Sequence, residues 1–150
     1  MKNVVLIVVG KLKSKELEIL EVDYLKRFKK IFLKVVETKS LEDQPEKEAE
    51  LVAFEISELQ KKASFEVVLL EERGKLFNSP DFSQFLFQDL GKNVIFAVGG
   101  SSGHGQAVLK LKQKSLSLSP LTYPHKLARL IFIEQLYRTE TIFAQHPYHK

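Results

Sequence analysis

The sequence predicts an α/β fold, a mostly parallel sheet flanked by helices, in one domain spanning residues 1–150. Two observations carry this. Short apolar runs rich in β-branched residues alternate with amphipathic segments of helical period, the order that builds parallel sheets. Two of the runs, Val4–Val9 and Val94–Val98, are apolar at every position, which suits strands covered on both faces. A chain of 150 residues also buries a real core without staples.

The elements follow in order. Val4–Val9 reads as a buried first strand. It is too short to span a bilayer, which takes about 18 apolar residues. Lys11, Lys13, Lys15 and Glu16 follow where a signal peptide would place small residues for cleavage. Lys15–Lys29 sets Leu17, Leu20, Tyr24 and Phe28 on one helical stripe. Ile31–Glu37 is the second strand candidate. Pro45–Lys62 opens with a proline suited to a first turn and carries Leu51, Phe54, Ile56 and Leu59. Phe65–Leu70 reads as a strand, and Ser79–Gln88 as a helix capped by Ser79 and followed by Pro80. Val94–Val98 and Ser115–Leu118 complete the strands. A last helix over about His125–Phe143 repeats Leu127, Leu130, Ile131, Glu134 and Leu136. No repeat, linker or low-complexity tract interrupts the series.

Charge is unevenly placed. Residues 91–150 carry 8 Lys or Arg against 2 acids, whereas residues 63–90 carry 2 against 5. Clustered cations suit phosphates, so nucleic acid is one partner this surface fits, and a plain solvated basic face is the other reading. The chain has no cysteine, which excludes disulfides and thiolate metal sites and favours an intracellular setting.

The basic third also holds the loops. Val94–Val98 empties into Gly99-Gly100-Ser101-Ser102-Gly103, and ligands of α/β sheets sit beyond the carboxyl ends of strands. Glycines there let a ligand approach the backbone, although the spacing is neither Gly-x-Gly-x-x-Gly nor a P-loop, and a tight turn fits equally. Ser119-Pro120-Leu121-Thr122-Tyr123-Pro124 is stiffened by two prolines. Its free backbone groups could meet an adenine edge beside Leu121 and Tyr123, or the segment could cap the last helix. The four histidines, His104, His125, His146 and His149, all fall within the last 47 residues. No metal-ligand spacing accompanies them, so no metal site is expected. No Gly-x-Ser-x-Gly elbow occurs, and Glu134 and Glu140 are the only acids after Asp89. The remaining chemistry suits a cofactor that brings its own reactivity.

Several segments together resemble the RlmH family of SPOUT-class methyltransferases. They are Leu69-Leu70-Glu71, Val98-Gly99-Gly100, Ser115–Ser119, Leu121-Thr122-Tyr123-Pro124-His125, Glu134-Gln135-Leu136-Tyr137-Arg138 and the terminal His146-Pro147-Tyr148-His149. The resemblance runs from the first strand to the last residues. It implies methylation of N3 of a pseudouridine in 23S ribosomal RNA on the assembled ribosome, by a cytoplasmic homodimer using S-adenosylmethionine. It also implies a trefoil knot near the carboxyl end, an exception to unknotted chains. Carried onto this sequence, the cofactor would contact Leu70, Gly100 and the run Ser119, Pro120, Leu121, Thr122, Tyr123 and Pro124, with Gly99 and Gly103 shaping the first loop. Tyr148 and His149 would act at the target base, and Arg138 would face RNA or a dimer partner. Two departures stand out: Ser101-Ser102 replace a pair that often includes a carboxylate, and the chain ends in Lys150 where relatives often have Arg.

Methyl transfer is an in-line displacement, so the protein mainly positions the nucleophile and excludes water. The N3 proton must leave, and His149 is the expected general base, because histidine ordinarily titrates near 6.5. His125 is expected to orient structure. Arg129, Arg138 and Lys150, with Lys110, Lys112, Lys114 and Lys126, are expected to hold phosphates. The alternatives are a SPOUT-class transfer-RNA methyltransferase and a non-catalytic RNA- or ribosome-binding protein.

Overall fold

The apolar runs form five strands and the amphipathic segments form the helices between them. The computed structural model describes all residues from Met1 to Lys150. The order is β1 (Lys2–Val9), α1 (Lys15–Leu25), β2 (Ile31–Thr38), α2 (Pro45–Lys62), β3 (Glu66–Leu76), α3 (Ser79–Gln84), a π-helical turn (Phe85–Asp89), β4 (Asn93–Val98), α4 (Gln106–Leu109), β5 (Lys114–Ser117) and α5 (His125–Phe143). All pairings are parallel, in the sheet order β2-β1-β4-β3-β5.

Because side chains alternate across a strand, the apolar runs feed two separate cores. Val4, Leu6, Val8, Phe96 and Val98 point to one face and meet Phe82, Leu86, Phe132, Ile133 and Leu136. Val5, Ile7, Ile95, Ala97, Val67 and Leu69 point to the other and meet Val52, Ile56 and Val108. Thus α1, α3 and α5 cover one side, and α2 and α4 the other. The expectation of strands buried on both faces holds.

Local differences have tertiary causes. Helix α1 was expected to reach Lys29, but it stops at Leu25. Glu140 of α5 collects the amides of Lys29 (2.7 Å), Lys30 (2.7 Å) and Ile31 (2.8 Å), which turns the chain into β2. The cap of α3 is Asn78 rather than Ser79: Asn78 Oδ1 accepts from the Asp81 amide at 2.8 Å, while Ser79 Oγ donates to Gln135 Oε1. The single helix expected over Ser79–Gln88 becomes an α-helix followed by the π turn. Strand β3 runs past Leu70 to Leu76, and α4 is an added turn without an amphipathic stripe of its own.

The Glu140 carboxylate is 5% exposed and has no cationic partner; its charge is met by backbone dipoles alone. Replacing it by Ala leaves three amides without acceptors, and each orphan costs about 1–3 kcal/mol. Glu140→Ala should therefore lower the urea midpoint by an amount equivalent to roughly 3 kcal/mol or more, at unchanged slope. A loss under about 1 kcal/mol would show that water replaces the carboxylate.

Candidate functional site

The carboxyl ends of β3, β4 and β5 meet at one end of the sheet, and the segments leaving them enclose a cleft of about 830 Å³. That is the size of a small-molecule site. Its first wall is a bulge in β3. Leu70 and Lys75 both register with Leu116 of β5, so residues 71–74 leave the ladder and swing outward. Gly74 makes this possible: a Cβ there would lie 2.6 Å from the Leu116 carbonyl carbon and 2.9 Å from the Ser117 nitrogen. The second wall is the loop after β4. A Cβ on Gly99 would lie 2.7 Å from the Gly103 carbonyl carbon, and the Gly103 amide donates to the Gly100 carbonyl at 2.9 Å. Gly103 itself has φ +75°, a conformation side chains resist. The third wall is the proline-framed run before α5. Ser117 Oγ donates to the Ser119 carbonyl and the Leu121 amide donates to Ser119 Oγ, both at 3.0 Å. The loop is thus held by its own hydroxyls and leaves Leu121 69% exposed at the cleft.

Of the residues singled out from sequence, Leu70, Gly99, Gly100 and Gly103 line the cleft, as do Ser119, Leu121, Thr122, Tyr123 and Pro124. Pro120 does not reach the wall; it shapes the loop behind it. His125, expected to serve structure, also faces the cleft. Sequence reasoning named Glu71, His104 and Leu118 without giving them a place at the cleft, and it passed over Glu72, Arg73, Leu109 and Ala128. A polar stretch ending in glycine directly after an apolar strand was the available signal for the bulge.

His104 ties two walls together. Its Nε2 lies 2.9 Å from the Leu70 carbonyl, which only accepts, so the ring donates through Nε2. Burial pushes its pKa below the ordinary value, opposed by that hydrogen bond and by Glu71.

The tail residues stand apart from this cleft. Tyr148 and His149 pack against Glu134, Tyr137 and Arg138 on α5. With a rise of about 1.5 Å per residue, that patch lies roughly 14–20 Å along the helix from His125 at the cleft. Tyr148 Oη donates to Glu134 Oε1 at 3.1 Å. Burial, the Tyr24 hydroxyl and Glu134 all push its pKa up, so the phenol keeps its proton.

Arg129 is a correction. It was expected on the RNA-facing surface but is 5% exposed. Its Nε and Nη2 bind both oxygens of Glu21 at 2.7 Å, and Nη1 binds Glu37 at 2.7 Å. Three of its five N–H donors are committed to carboxylates and the side chain is buried, so it joins α5 to α1 and β2 rather than presenting a surface cation to a phosphate. Lys150 remains exposed at the end of the chain.

Comparison with known proteins now bears on the cleft. The family model described as "Predicted SPOUT methyltransferase" matches residues 1–149. The chain belongs to the SPOUT methyltransferase family. Its relatives include proteins named "Ribosomal RNA large subunit methyltransferase H". The one from Flavobacterium johnsoniae is 37% identical over 98% of both chains. The one from Prochlorococcus marinus is 38% identical over 97% of this chain and 94% of its own. The one from Flavobacterium psychrophilum is 36% identical over 98% of both. As a SPOUT methyltransferase the protein is an enzyme that draws on a methyl-donor cofactor, and the resemblance read from the carboxyl-terminal motifs is confirmed. No group of His, Asp or Glu side chains is placed to hold a metal ion, and no helix is long and apolar enough to cross a membrane.

The depressed pKa of His104 gives a signed expectation. The folded ring binds its proton less tightly than the unfolded one, so the unfolded state takes up more protons as pH falls below about 6.5. Stability should then drop as pH falls through about 6.5 toward the lowered pKa of the folded ring. His104→Gln, whose amide can still donate to Leu70, should flatten that slope in urea melts. Equal slopes for the two proteins would refute the assignment.

Proposed function

We propose that the chain is a single-domain, homodimeric, S-adenosylmethionine-dependent methyltransferase that methylates N3 of a pseudouridine in large-subunit ribosomal RNA, on the assembled ribosome in the cytoplasm. The observation that carries this is the three-walled cleft built from the residues the family motifs single out, in a chain that matches the rRNA methyltransferases along nearly its whole length.

The cleft suits the cofactor on its own chemistry. Leu118, Leu121, Tyr123 and Ala128 offer apolar surface beside free backbone groups of the 119–124 run, the combination that accepts a purine ring. Glu72 and Glu71, the latter ion-paired with Lys112, place carboxylates on the wall of the cleft, which suits a molecule carrying an ammonium and a sulfonium. When bound, S-adenosylmethionine supplies an electrophilic methyl on a cationic sulfur. The chain's own part is to fix the donor against rigid backbone and keep water from the reacting centre.

The position of the tail supports the dimer reading. Tyr148 and His149 are held away from the cleft of their own chain, so they would serve the cleft of a second copy. Exposed Leu76 (57%), Leu121 (69%), Leu127 (42%) and Phe143 (51%) offer apolar surface for that contact. The family's trefoil knot belongs to the same reading. Lys110, Lys126 and Lys150 remain as phosphate-binding candidates; Lys112 and Lys114 are paired with Glu71 and Glu66.

Methyl-labelled S-adenosylmethionine, offered with ribosomes lacking the modification, free large-subunit RNA and bulk transfer RNA, tests the reading. Label should enter ribosomal RNA, should vanish when the target uridine is not isomerised, and should fall steeply as salt rises. Label in transfer RNA would instead establish a transfer-RNA methyltransferase. No label with no cofactor binding would establish a binding protein.

A further inference from the structure

The terminal imidazole is oriented by a neighbour that can only donate. Arg138 Nη1 lies 3.1 Å from His149 Nδ1, and a guanidinium carries five N–H donors and no acceptor. Nδ1 must accept. The single proton of the neutral ring therefore sits on Nε2. Arg138 is itself held: its Nε and Nη2 donate to Glu134 Oε1 at 3.1 and 2.6 Å, and its guanidinium lies 5.0 Å from the centroid of the Tyr148 ring. Gln135 Nε2 donates to the other oxygen of Glu134 at 2.6 Å, so the carboxylate does not swing. Side-chain contacts on α5 thus fix which nitrogen of the tail imidazole carries hydrogen.

This arrangement conflicts with a general base. The lone pair of Nδ1 is aimed at Arg138, and Nε2 is protonated, so neither nitrogen is free to take a proton from substrate. We propose that His149 acts as a hydrogen-bond donor, through Nε2–H, to a carbonyl oxygen of the target base, and that Arg138 is the positioning residue that fixes this tautomer. The inference rests on the methylation of an imide nitrogen set out above. N3 of a uracil-type ring lies between two carbonyls. When its proton is lost to water or hydroxide, the negative charge spreads onto those oxygens. A donor placed at one of them stabilises the anion as it forms. The nitrogen lone pair then makes the N–CH3 bond while the C–S bond breaks with its electron pair going to sulfur. An anion and a sulfonium become a neutral N-methyl imide and a neutral thioether, and no oxidant or further base is required.

Nitrogen-15 correlation spectra of the full chain, without cofactor or RNA, read the tautomer directly. His149 should show a protonated, pyrrole-type Nε2 and an unprotonated, pyridine-type Nδ1, and Arg138→Met should turn this into a mixture of tautomers. Single-turnover methylation of ribosomes reads the role. His149→Gln, whose amide can donate from near the Nε2 position, should stay within about ten-fold of native, and His149→Phe should lose about 10²–10³-fold. Protonation on Nδ1 in the native protein, or a Gln variant as slow as the Phe variant, overturns the proposal in favour of a base. A native enzyme that labels no RNA overturns the methylation reading and the His149 role with it, while the spectra still report separately whether Arg138 fixes the ring.

Discussion

The close passage of β5 against the β3 bulge is the constraint on which the site depends. Leu116 registers with both Leu70 and Lys75, and Gly74 lets the backbones approach to a distance that any Cβ would forbid. This contact throws residues 71–74 outward, sets Leu118 and the proline-framed run opposite them, and leaves the Leu70 carbonyl facing His104. The glycine loop after β4 fits between because Gly99 and Gly103 are themselves in backbone contact. Backbone rather than side chains therefore shapes the cleft. Such a wall is rigid, and its pattern of donors and acceptors survives most side-chain substitutions.

Buried charge supports this arrangement from the β2 edge of the sheet, opposite β5. Arg129 on α5 grips Glu21 of α1 and Glu37 of β2, and Glu140, about three turns along the same helix face, caps the amides that open β2. A buried ion pair contributes little net stability compared with apolar packing, but removing one partner strands a charge and is strongly unfavourable. What these groups provide is position. They pin α5 to α1 and β2, and α5 carries both His125 at the cleft and Glu134 and Arg138 beneath the tail.

The fold was largely legible because the signal for it is local and repeated. The ends of β1, β2, α2 and α5 fall close to where hydrophobic period and proline place them, since both are properties of neighbouring residues. The site's loops were legible as loops, through Gly99, Gly103, Pro120 and Pro124, and the chemistry they serve came from family motifs. What stayed hidden depends on residues distant in sequence. Arg129 reads as a surface cation until Glu21, 108 positions away, is seen to meet it. Glu140 reads as a helix-face acid until the amides of residues 29–31 arrive. The bulge at residues 71–74 exists only because β5 pairs on both sides of it. The role of His149 turned on a single contact with Arg138, and no spacing rule distinguishes an imidazole that accepts at Nδ1 from one that donates there.

Amide chemical shifts during titration with S-adenosylmethionine read directly whether the three backbone-walled loops form the methyl-donor site. Saturable shifts should concentrate at Leu70–Gly74, Gly99–His104 and the non-proline amides of Leu118–His125, the segments that enclose the cleft. Saturable shifts centred elsewhere, with these amides unmoved, would contradict that placement of the site.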